Sequence, residues 1–328
     1  MGNRQLVVLA AVLAGLVAVY AWQQHRRNAS PRELTAALAP ADLARRADEL
    51  VAWAPADPKG ARLRLFKQEG RWRVDRGFPA PAKAARVEEV LEALAALRGE
   101  ARAADPGLVG RFRLKSREAF HVEVRGGGER LLHLLVGKQG PDWDTCYVRA
   151  AGSDAVYLAD RNVLGLFEVW QVPAKGSPDP KDWTELTVIG EGRRGVRAVA
   201  WRSAEGAWRI APAAAPGGGG ATQAKGGPAW VYTYEGPPRR RAAGARVRDF
   251  LDRLFPLQAA DVEDPAKAAA FGLGAGAAEL RVDLGAKGEV RLEVGRRAGE
   301  ARKAWVRTAD GTVYRLEGDW VPRLPAPF

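Results

Sequence analysis

The stretch Ala61-Arg-Leu-Arg-Leu-Phe-Lys-Gln-Glu-Gly-Arg-Trp72-Arg-Val74 reads as a strand, a turn containing Gly70 and a second strand carrying a tryptophan. Val196-Arg-Ala-Val-Ala-Trp-Arg-Ser-Ala-Glu-Gly-Ala-Trp208-Arg-Ile210 repeats that pattern. After each hairpin comes a helical stripe: Val87, Val90, Leu91, Leu94 and Leu97 in one place, Val247, Phe250, Leu251, Leu254 and Leu257 in the other. Spacings of three and four residues place each set on one buried face. Both copies then pass through a Phe-x-Leu segment, Phe112-Arg-Leu114 and Phe271-Gly-Leu273, and switch to period two. Phe120, Val122 and Val124 alternate with His121 and Glu123, as Leu280, Val282 and Leu284 do with Arg281 and Asp283. These are half-buried strands. Turns at Gly126-Gly127-Gly128 and at Gly285 to Gly288 lead to strands ending in Val136-Gly137 and Val294-Gly295. A last hairpin follows in each copy, around Tyr147 and Tyr157 and around Trp305 and Tyr314. The expected fold is therefore α+β: an N-terminal transmembrane helix followed by two tandem repeats of an antiparallel sheet with one amphipathic helix each.

The offset between copies grows from 136 at the tryptophans to 160 at the helices, so this reading gives the second copy an extra 24 residues within 211–238. That segment holds Pro216-Gly-Gly-Gly-Gly220 and then Trp230-Val-Tyr232-Thr-Tyr234. On a strand, alternation puts Trp230, Tyr232 and Tyr234 on one side. They either pack as an added edge strand or present an aromatic face to a glycan or a partner protein, and they are the candidate partner-binding residues.

Leu6 to Trp22 is an uncharged apolar run with Tyr20 and Trp22 at its end and Arg26 and Arg27 beyond it. It reads as a membrane anchor over 1–27, with a cleaved signal peptide as the rival. A linker over 28–48 leads to the first repeat at 49–172; a second linker at 173–184 precedes the second repeat at 185–328. The chain has 328 residues, 47% of them hydrophobic, which excludes wholesale disorder. Its +12 charge raises polyanions as partners, but the basic residues are dispersed and are mostly arginine. The arginines near the apolar run leave the orientation of an anchor open. A single cysteine, Cys146, rules out an internal disulfide framework and multi-thiolate metal centres.

Little in the sequence points to chemistry. His121 and His133 lie symmetrically about Gly127, so a turn centred there sets them opposite one another near Glu123; the bland reading is a solvated polar face. Asp142 and Asp144 flank Trp143 but lack the remaining positions of a calcium loop. Cys146 reads as a buried inert thiol. Gly272-Leu-Gly274-Ala-Gly276 lacks the spacing and following helix of a nucleotide loop. No Walker loop, nucleophile elbow or zincin motif occurs, and no catalytic residue, metal ligand or cofactor site is expected.

The Gly-x-Trp turns, the helices that follow, the Phe-x-Leu segments, the strand ends at Gly137 and Gly295 and the final hairpins together resemble a bacterial family known only as domain of unknown function 4340. The resemblance implies a single membrane helix, a body outside the cytoplasm at the inner membrane, and association with gliding-motility-type ABC transporter components. It defines no catalytic residue. The expected function is that of a non-enzymatic, membrane-anchored periplasmic accessory protein acting by docking, with a periplasmic carbohydrate- or polyanion-binding module as the alternative and nucleic acid disfavoured.

Overall fold

A computed structural model describes residues 35–212, 230–234, 241–243, 245–325 and 327. The chain forms two compact units. One takes the residues up to Trp72 together with Ala84–Asp182; the other takes Arg73–Lys83 and Trp183–Phe328.

The first unit contains β1 (Thr35–Ala37), α1 (Leu43–Arg46), β2 (Glu49–Trp53) and β3 (Leu63–Gln68). After the exchange segment with β4 (Arg71–Asp75) and β5 (Pro79–Pro81) it continues through α2 (Ala84–Ala95), β6 (Arg98–Ala103), β7 (Phe120–Gly126), β8 (Glu129–Gln139), β9 (Cys146–Ala150), β10 (Val156–Ala159) and α3 (Val163–Leu166). The sheet order is β1-β6-β10-β9-β8-β7-β2-β3, and local hairpins carry it on to β4 and β5. Period two decides its core: Leu50, Ala52, Leu63, Leu65, Val122 and Val124 are fully buried, as are Val87 and Leu94 of α2. The turn between β7 and β8 is two residues long because Gly127 and Gly128 both take positive φ, which matches the strand twist.

The second unit holds β11 (Thr187–Ile189), β12 (Ala198–Ser203), β13 (Gly206–Pro212), β14 (Trp230–Tyr234), β15 (Arg241–Ala243) and α4 (Ala245–Leu254). Then come β16 (Leu257–Gln258), β17 (Asp261–Glu263), β18 (Ala278–Asp283), β19 (Glu289–Gly295), β20 (Lys303–Arg307) and β21 (Val313–Glu317). Nine strands run in the order β15-β14-β13-β12-β18-β19-β20-β21-β17, and β11 pairs with β16 in a small third sheet. Val199, Ile210, Val282 and Leu292 are fully buried, with Val247 and Leu251 of α4.

Both units cover part of the outer sheet face with a short 3₁₀ segment. Pro106–Phe112 begins where Asp105 accepts from the Gly107 N–H at 2.8 Å; Pro265–Phe271 begins where Asp264 accepts from Ala266 at 3.0 Å. Phe112 then packs on Tyr147 and Phe271 stacks on Trp305, with centroids 4.6 Å and 5.0 Å apart. Gly137 and Gly295 permit this approach. A Cβ on either would fall 2.2 Å from the Phe112 or the Phe271 carbonyl oxygen.

Two expectations are corrected. The α+β class with an N-terminal transmembrane helix gives way, among the described residues, to a mostly β architecture of three antiparallel sheets with few helices. Among the described residues, α2 and α4, of 12 and 10 residues, are the longest helices. At 1.5 Å per residue the longer is about 18 Å, short of a bilayer core. No helix among the described residues is long and apolar enough to cross a membrane; the proposed anchor over 1–27 lies outside them. The alignment of the opening hairpins is also off by one strand. β12 pairs with β18 as β2 pairs with β7, so strand order matches β12 to β2, β13 to β3 and β14 to β4. Of the segment 211–238 the structure describes the end of β13 and β14 (Trp230–Tyr234).

Candidate functional site

Trp230, Tyr232 and Tyr234 do fall on one strand, which lies between β13 and β15 rather than at the sheet edge. Tyr232 is opposite Ile210, is 1% exposed, and packs on Trp208 with centroids 6.1 Å apart. Its ring is core. Trp208 also packs edge-on against Phe250 and donates its Nε1 proton to the Leu324 carbonyl at 2.8 Å. The side chains of Trp230 and Tyr234 lie outside the described residues.

The outer face of the first sheet gathers a different set. A bulge at Val124 and Arg125 shifts the register, so Glu123 rather than His121 is opposite His133, and His121 stands diagonally across. Trp53, the partner of His121 across β2 and β7, stacks on it at 4.6 Å between centroids, and Arg62 lies over the indole at 4.7 Å. The face is buried, not wet: His121 is 6% exposed and Glu123 7%. His121 Nε2 meets the Ser116 carbonyl at 2.8 Å and so carries a proton; its Nδ1 then accepts from His133 Nε2 at 3.0 Å. His133 Nδ1 is left without a hydrogen bond, 3.8 Å from Glu123 Oε2.

Burial, assisted by Arg149 and Arg62 at His121 and by His121 and Arg130 at His133, holds both imidazoles below the ordinary histidine value. Burial pulls Glu123 the other way, but the Arg125 hydrogen bond at 2.6 Å and the Arg130 charge bring it net below the ordinary carboxylate value. The three groups do not make a metal centre, because the carboxylate approaches the nitrogen of His133 turned away from His121. No group of three metal-ligating side chains occurs among the described residues.

In the second sheet the corresponding place is open. Ala200 pairs with Arg281 on β18 as Trp53 pairs with His121 on β7, and Asp283 with Glu289 stands where Glu123 and His133 do. A methyl group therefore occupies the position of the indole. The result is a groove of about 340 Å³, floored by Ala198, Ala200 and Ala207 and flanked by Arg202, Arg209 and Arg281. Acidic side chains line the rest. Glu279 is bound to Arg281 at 2.8 Å, and Asp283 Oδ1 accepts from the Gly285 N–H. Arg209 has no carboxylate partner among the described residues. The arrangement suits a planar or anionic group held by guanidinium faces and edges. Neither the groove nor Trp53 was singled out from sequence. The available signal was the pair of outward-facing alanines, Ala198 and Ala200, in a strand whose other outward residue is Arg202.

The other candidates separate. Cys146 is buried, its Sγ accepting from Val163 N at 3.4 Å, and burial pushes its thiol up to about 12, so it is unreactive. Asp142 and Asp144 are exposed around Trp143, which is 82% exposed; Trp170 is 79% exposed. Gly272 caps the second 3₁₀ segment in the left-handed conformation instead of opening a phosphate-binding helix.

No curated protein and no solved structure matches the chain. Residues 72–228 match the model of the family described as Domain of unknown function (DUF4340).

Proposed function

We propose that this chain is a non-enzymatic docking protein of an envelope transport assembly, built from two related units and working outside the cytoplasm beside a gliding-type ABC transporter. The observation that carries docking is the pair of tryptophans Trp143 and Trp170, 82% and 79% exposed on the first unit. Tryptophans are enriched among the anchor residues of protein interfaces. Kinship of the units is supported by the parallel strand orders, the paired 3₁₀ segments and the clashes built in at Gly137 and Gly295. The envelope setting and the transporter come from the family resemblance. Photocrosslinking from position 170 in the native host tests the reading. The expected result is discrete adducts with an envelope transport protein; an absence of protein adducts overturns it.

The groove beside Arg202, Arg209 and Arg281 supports a second reading, a polyanion- or carbohydrate-binding module. That reading expects salt-sensitive retention on an anionic polysaccharide, lost in Arg209→Ala.

A further inference from the structure

The geometry points to self-assembly: the Trp143 loop of one copy inserts into the alanine-floored groove of another, an inference that rests on the kinship of the two units proposed above. The first unit supplies the template for the bound state. There Trp53 stands on β2 between Arg62 at 4.7 Å and His121 at 4.6 Å. The second unit keeps the flanking pair, Arg209 on β13 and Arg281 on β18, on either side of β12, and replaces the indole with Ala200. Two strands that flank a third are about 10 Å apart, the spacing at which a ring stacks between two planar groups. At the related position of the first unit an indole fills this place.

Trp143 is the indole that lacks a home. Other aromatic rings of its unit carry a cation over one face: Arg62 over Trp53, Lys67 over Trp72, and Lys138 over Phe112 and Tyr147. Trp143 has none among the described residues. Its neighbours Asp142 and Asp144 offer carboxylates without side-chain partners there; only the Asp142 carbonyl is engaged, by Thr145. The groove offers Arg202 and Arg209 in a lining that also holds Glu279, Asp283 and Glu289, and Arg209 has no carboxylate partner among the described residues. An acidic aromatic finger thus meets a slot of mixed charge in which Arg202 and Arg209 can each give a carboxylate a charge-assisted bond. Finger and slot are different surfaces, so the contact is heterologous and grows into rings or filaments. The second exposed tryptophan, Trp170, follows Val169 and precedes Gln171, has no flanking acid, and serves as the control.

The test is sedimentation of the full chain from about 1 µM to about 100 µM, the range of a weak protein contact. Wild type and Trp170→Ala are expected to self-associate with rising concentration. Trp143→Ala, which lacks the finger, and Ala200→Trp, which refills the groove as the first unit does, are each expected to weaken association at least about tenfold. Mixed together, the open groove of the first variant and the free finger of the second should form a terminated one-to-one complex that neither forms alone. Arg209→Glu, at an exposed position, gives the same loss should Ala200→Trp fail to fold. A wild type that stays monomeric overturns the proposal. So does self-association unchanged in Trp143→Ala, or a mixture that does not pair or that grows beyond one-to-one. Because the crosslinking experiment reads other proteins, failure here leaves the docking reading standing, and failure there leaves this contact standing.

Discussion

At the scale of single residues, His121 and His133 make the fold sensitive to pH. Both are held below the usual value of about 6.5. The unfolded chain therefore binds protons first as pH falls, and the stability these groups contribute is present above about 6.5 and lost as pH drops through their lower folded values. Denaturant midpoints are expected to decline between about pH 7 and about pH 5, and His133→Gln should flatten that decline. Glu123 is lowered as well, so its loss falls in the acid range beneath its ordinary value. Gly137→Ala tests a different constraint, since the new Cβ meets the Phe112 carbonyl at 2.2 Å. A cost of about 2–3 kcal/mol in chemical denaturation is expected, for displacing the 3₁₀ segment.

At the scale of elements, α2 and α4 were the most legible parts of the chain. Val87, Val90, Leu91, Leu94 and Leu97 are all at most 3% exposed, and Leu251 is fully buried. Leu251→Ala is expected to cost about 2–5 kcal/mol by urea unfolding, whereas Glu89→Ala, on the exposed side of α2, stays within about 0.5 kcal/mol. The strands were legible by alternation, but their neighbours were not. Alternation says which side chains share a face and nothing about which strand lies alongside; for that reason β12 was matched to β3 instead of β2. The same gap hid the site. A reader of the sequence sees His121 and Glu123 as polar and assigns them to water; only pairing with β2 brings Trp53 over them.

The largest feature of the whole molecule that the sequence did not show is the exchange of 73–83 into the second unit. Arg76 donates to Asp261 Oδ1 at 2.6 Å and to the Val262 carbonyl at 3.2 Å, with side chains 11% and 19% exposed at the ion pair. Arg73 approaches Asp310 at 3.5 Å, and the Lys83 and Glu185 N–H groups bond to the carbonyls of Trp183 and Pro81. Arg76→Ala is expected to destabilise the second unit by about 1–3 kcal/mol, read as a lower thermal midpoint, since it leaves a half-buried carboxylate and a carbonyl short of a donor. A substitution at Lys59, exposed and in the first unit, should leave that midpoint unmoved.

The sequence by itself determined the faces: two helical stripes, alternating strands and glycine turns. Those are local properties, set by side-chain period and by the φ values that glycine alone takes freely. Tertiary structure decided which strands pair, that 73–83 belongs with the second unit, that His121 and Glu123 are buried, and that Ala200 leaves a groove where Trp53 fills one. Each of these depends on contacts between residues far apart in the chain, and no period in a single sequence encodes which distant backbone will supply the hydrogen bonds.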